Sequence, residues 1–97
     1  MTDSDRKKMF ETWQVHQSTA WPDGLGSLEG QLMTLDTVIG GCLTYYFDEH
    51  HLDESRIEIL RDCLADLEII VPELSESTCD YFGRLRFLGV TLLQDFS

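Results

Sequence analysis

Residues 25–47, LGSLEGQLMTLDTVIGGCLTYYF, decide the fold. Leu25, Leu28, Leu32, Leu35, Ile39, Cys42 and Tyr46 recur at alternating spacings of three and four, the pattern of one continuous apolar seam on an α-helix. Met33, Val38, Leu43, Tyr45 and Phe47 flank that seam and widen it into an arc too broad for a single neighbour. The stretch therefore reads as a central helix over residues 25–48 that touches more than one partner. Gly40-Gly41 in its middle cost about 1 kcal/mol each relative to alanine, so they call for a compensating role. The helix either bends there or uses the glycines to let another helix approach closely, and close approach is the preferred reading.

Working outward, Asp48-Glu49-His50-His51-Leu52-Asp53-Glu54 forms a turn. Beyond it Ile57, Leu60, Leu64, Leu67 and Val71 repeat at helical spacing, predicting a helix over residues 54–70. Asp53 or Ser55 is its expected cap, with Ser55-Arg56-Ile57-Glu58 fitting a capping box. Pro72 prevents simple continuation. Ser75 or Ser77 then opens a helix over residues 78–94 with Phe82, Leu85, Leu88, Leu92 and Phe96 on its main face. Phe87 and Val90 lie on the opposite side of that helix and give it a second apolar face.

On the N-terminal side, Trp21-Pro22-Asp23-Gly24 is a clear break. Residues 4–19 before it predict a helix capped by Asp3 or Ser4, with Met9, Trp13 and Ala20 on a narrow stripe. Arg6-Lys7-Lys8 near its start have the wrong sign for the helix dipole. Short loops make consecutive helices antiparallel neighbours. The expected fold is all-α: an up-down antiparallel bundle of three long helices with a shorter, oblique N-terminal helix, forming one domain over residues 1–97.

Charge narrows the partners. Of 97 residues, 18 are acidic and 7 basic, a net charge of −11. Each phosphate contact needs a cation, so this field opposes direct nucleic-acid binding and anionic membranes. No run approaches the length and apolarity of a membrane span, and no secretory segment is legible at the start. Cys42, Cys63 and Cys79 are odd in number and lack a C-x-x-C pair, as expected of reduced thiols in a cytoplasmic protein. Helical register brings Cys42 and Cys63 close but keeps Cys79 roughly 12 Å away along the axis, which disfavours a three-cysteine metal site.

No nucleophile motif, phosphate loop or metal-ligand spacing stands out, and no cofactor is expected. The densest ligand set is Asp48, Glu49, His50, His51, Asp53 and Glu54, with the first four as metal candidates, but adjacent residues at a helix end point apart; histidines suit the end of one helix and Asp53 and Glu54 the start of the next. Glu54, Glu58, Asp62 and Asp66 form an acidic ridge on the third helix, a candidate docking surface for a basic protein partner. Glu29 and Asp36, one heptad apart, are expected to meet Arg84 or Arg86 or cations of a second subunit. The leading expectation is a non-enzymatic interaction module that forms a homodimer, with Phe87, Val90, Gly40 and Gly41 as interface candidates. The alternatives are an acidic binding inhibitor, immunity-type or nucleic-acid mimic, and a metal-binding protein using the residue 48–54 turn.

Overall fold

The computed structural model describes residues 1–96. Four helices carry the described chain: α1 (Asp3–Ser18), α2 (Glu29–Glu49), α3 (Glu54–Ile70) and α4 (Glu76–Gln94). Single 3₁₀ turns precede α2 at Gly26–Leu28 and follow α3 at Val71–Glu73, so Pro72 occupies a tightened turn in which its missing N–H does no harm. No strand occurs among the described residues.

The seam of α2 is the axis of the core. Leu32, Leu35, Ile39, Cys42, Leu43 and Tyr46 are all buried, joined by Leu25 from the preceding loop. Leu60, Leu64, Leu67 and Ile70 of α3 and Phe82, Leu85, Leu88 and Leu92 of α4 close around them. Helices α2, α3 and α4 each pack against the other two, as short connections require.

The N-terminal helix runs alongside this trio. Arg6 reaches Tyr46, Trp13 meets Gly40, and His16 meets Asp36, so residues 6–16 of α1 run along residues 36–46 of α2 in reverse order. Met1 meets Asp95 and Arg84 meets Thr19, which makes α1 antiparallel to α4 as well. It approaches α4 more closely than α2, which it meets through long side chains.

The caps differ in detail from the sequence reading. Thr2, not Asp3 or Ser4, opens α1: its Oγ1 accepts from the Asp5 amide at 3.1 Å. That choice leaves Asp3 and Asp5 inside the first turn, where their charge suits the helix dipole. Arg6 is neutralised by Asp3 at 3.0 Å and donates to the Tyr46 hydroxyl at 3.0 Å. Asp53 alone caps α3, accepting from the Arg56 amide at 2.8 Å and from its guanidinium at 2.6 Å. The Ser55–Glu58 capping box does not form, because a carboxylate two residues earlier takes the amide and the side chain of Arg56 together. That amide holds the Asp53 carboxyl below the usual range. Ser75 starts α4 at Glu76, two residues earlier than the pattern at Thr78 implied.

Gly40 and Gly41 separate cleanly. A Cβ on Gly40 would lie 3.0 Å from the tip of the Trp13 indole, whereas one on Gly41 would meet open space. The close approach expected here is therefore made within the chain, by an indole of α1 seated over Gly40. Gly41→Ala is expected to stabilise the fold by about 1 kcal/mol, the ordinary helix-propensity gain. Gly40→Ala is expected to gain less, because the indole must retreat. Urea midpoints of the two variants measured side by side check this ordering.

Candidate functional site

Two surfaces and one buried cluster hold the chemistry that the fold arranges. The buried cluster sits where α1, α2 and α4 meet. His16 is only 2% exposed and shares a 3.1 Å hydrogen bond between its Nε2 and Asp36 Oδ1. The Tyr81 hydroxyl donates to the same carboxylate oxygen at 3.5 Å. Trp13 stacks near the imidazole at 5.6 Å between ring centroids, and Tyr81 lies 4.3 Å away on the same measure. His16 Nδ1 is buried with no hydrogen-bond partner among the described residues.

Asp36 thus finds His16 and Tyr81 rather than Arg84 or Arg86. Glu29 accepts from the Trp21 indole N–H at 3.3 Å. Arg84 turns to the Thr19 hydroxyl at 3.1 Å, and Arg86 pairs with Glu68 of α3 at 3.4 Å. The expected arginine contacts do not form because α1 occupies the groove and brings its own histidine to the carboxylate. A histidine, a carboxylate and a phenol meet here, with His16 buried and the Asp36 side chain 26% exposed. Burial, then the charge of Asp36, pushes the Tyr81 hydroxyl up to about 12. Because the fold favours the neutral phenol, its contribution is intact below about pH 10, where an unfolded tyrosine ionises, and is lost as pH rises towards 12. Asp36→Asn is expected to bring this ionisation down, as read by near-ultraviolet titration of the phenolate.

The first surface lies between α1 and α4. A groove of about 430 Å³ is lined by Met9 and Thr12 of α1 and by Phe87, Leu88 and Thr91 of α4, with the charged Asp5, Lys8 and Asp95 also in its lining. Phe87 is 55% exposed at its edge, and Val90 beside it is half-buried. Residues 81–94 contain Arg84 and Arg86 and no acid, in a chain of net charge −11. Of the residues singled out for an interface, the fold brings Phe87 to this groove, while Val90, three residues on, packs half-buried against the core and is not in its lining. The fold does not join the glycines to them: Gly40 is covered by Trp13, and Gly41 is exposed on α2.

The second surface is the outer face of α3. Glu54, Glu58, Asp62 and Asp66 are all exposed there. None of them forms an ion pair among the described residues. Cys63, on the flank of this face, registers the field: burial first, then Asp66 and Asp62, push its thiol up. Burial, with Cys63 close by, does the same to Cys42. All three cysteines are free.

The turn after α2 is shaped by the backbone. His50 adopts a left-handed conformation, φ 56°, and its N–H donates to the Tyr46 carbonyl at 2.7 Å, which closes the helix. His51 lies edge-on to Phe96, 6.3 Å between centroids, while Asp48 and Glu49 remain exposed. Among the described residues no three His, Cys, Asp or Glu side chains converge in a metal-binding arrangement. No helix there is long and apolar enough to cross a membrane.

Sequence reasoning missed the role of His16, although its signal was present. His16 continues the Met9, Trp13 stripe at spacings of four and three, so an amphipathic α1 must bury it. No family model matches the chain, and no curated protein or solved structure matches it significantly.

Proposed function

We propose that this chain is a non-enzymatic protein-interaction module that pairs with a second copy of itself through the α1–α4 face. The observation that carries the reading is the acid-free run of residues 81–94, whose exposed Phe87 lines a mainly apolar groove; the acids of that groove are Asp5 and Asp95, and Asp95 is paired with the N-terminal ammonium. Copies of net charge −11 repel one another almost everywhere. They approach at least cost where acids are missing and apolar area is available for burial.

A two-fold pairing suits this face, because Phe87 of each copy can enter the groove of the other. The burial of His16 and Tyr81 around Asp36 supports a structural rather than catalytic use of these side chains. The three free thiols are consistent with a reducing, cytoplasmic setting.

Light scattering after size exclusion at tens of micromolar is the test. The wild type is expected to run at twice the 11.2 kDa chain mass, and Phe87→Glu at the chain mass with unchanged helical circular dichroism. A wild type that stays at the chain mass throughout removes the self-association.

A further inference from the structure

We infer that the outer face of α3 is a docking surface for a helix of another protein, one with cationic side chains at its centre and an apolar residue at each end. This surface lies on a different helix from the proposed self-association face and is argued independently of it.

The pattern is a second seam on α3, opposite the one in the core. Ser55, Ile59, Asp62, Asp66 and Ile69 recur at spacings of four, three, four and three, so they form one line along the exposed side of a single helix. Ile69 is 71% exposed and Ile59 is 45% exposed. These isoleucines, about 15 Å apart along the axis, bracket the two aspartates. Glu58 flanks the line, and no cation of this chain pairs with Glu58, Asp62 or Asp66 among the described residues. Single exposed apolar side chains are ordinary on a protein surface; what distinguishes this face is that both isoleucines share one helical line with acids that have no ion-pair partner among the described residues.

Shape and charge together specify the occupant. A helix laid along α3 with 3–4 packing meets the line at the same repeat. Leucine-like side chains at its ends would cover Ile59 and Ile69, and lysines or arginines between them would meet Asp62, Asp66 and Glu58. Charge steers the encounter, and the isoleucines set the register. A uniformly basic, apolar-free segment would satisfy only half of the surface.

The test uses three synthetic helical peptides. One has leucines spaced to reach Ile59 and Ile69 with lysines between them, a second replaces the leucines by serine, and a third replaces the lysines by glutamate. Calorimetry is expected to show binding of the lysine–leucine peptide only. Ile69→Ser, which alters an exposed position, is expected to weaken that binding about tenfold. Asp62→Asn combined with Asp66→Asn is expected to flatten its salt dependence. Amide chemical shifts are expected to move along α3.

The proposal is overturned if the serine peptide binds as tightly as the leucine peptide, if no peptide binds, or if the shifts centre on Phe87. Loss of self-association in Ile69→Ser would also overturn it, by making the occupant a second copy of this chain.

Discussion

Trp13→Ala is expected to detach α1 from the bundle while α2, α3 and α4 stay folded. Only Met9, Trp13 and His16 of α1 are buried, and Trp13 is the largest of the three. Deleting a buried tryptophan costs about 3–5 kcal/mol when the cavity persists. Here the indole fills the notch over Gly40 and stacks near His16, so both contacts go at once. A 16-residue helix of polar composition is marginal alone in water, so α1 has little reason to stay ordered once released. The observable loss is therefore capped at the docking energy of α1. Hydrogen exchange checks this directly: amides of α1 are expected to lose protection, and those of the α2 seam to keep it. Unchanged protection in α1 would show that Trp13 is not its anchor.

The second large effect is global. Phe82 is fully buried and lies edge-on to Trp21 at 5.6 Å and to Tyr81 at 4.8 Å between centroids. It joins the loop before α2 to the core face of α4. Phe82→Ala is expected to cost about 3–5 kcal/mol. Against a total of about 5–15 kcal/mol for a domain of ordinary stability, that leaves the fold close to its limit. Unlike Trp13→Ala, this change is expected to lower protection in every helix together and to shift the denaturant midpoint without creating a second transition. A shift worth less than about 1 kcal/mol would mean that the site collapses around the smaller side chain.

The different reach of these two substitutions mirrors what could be read from the residues. The helices and their buried faces were legible because repeats of three and four are local: Leu32, Leu35, Ile39, Cys42 and Tyr46 state their common face without reference to the rest of the chain. Pro72 and the residue 21–24 break were legible for the same reason. Caps were less so, since Thr2, Asp3 and Ser4 all offer a suitable oxygen, and only the docked position of α1 selects Thr2. The partners of Asp36 were not legible, because His16 lies twenty residues away and Tyr81 forty-five. Those contacts depend on which helix fills the α2–α4 groove, a decision made by packing. The acidic ridge of α3 was legible as charge. Its isoleucine-bracketed line emerged only once exposure separated Ile59 and Ile69 from the core positions between them.

The reversed pairing of α1 with α2 and α4 also bears on the order in which the chain assembles. The α2–α3 and α3–α4 pairs are joined by short turns and close cheaply, while α1 must reach residues as distant as Asp95. Its natural place is over a surface the other three helices have already built. Stopped-flow traces of Trp13→Ala should then show an unaltered refolding rate and a faster unfolding rate, with α1 the last piece to arrive and the first to leave.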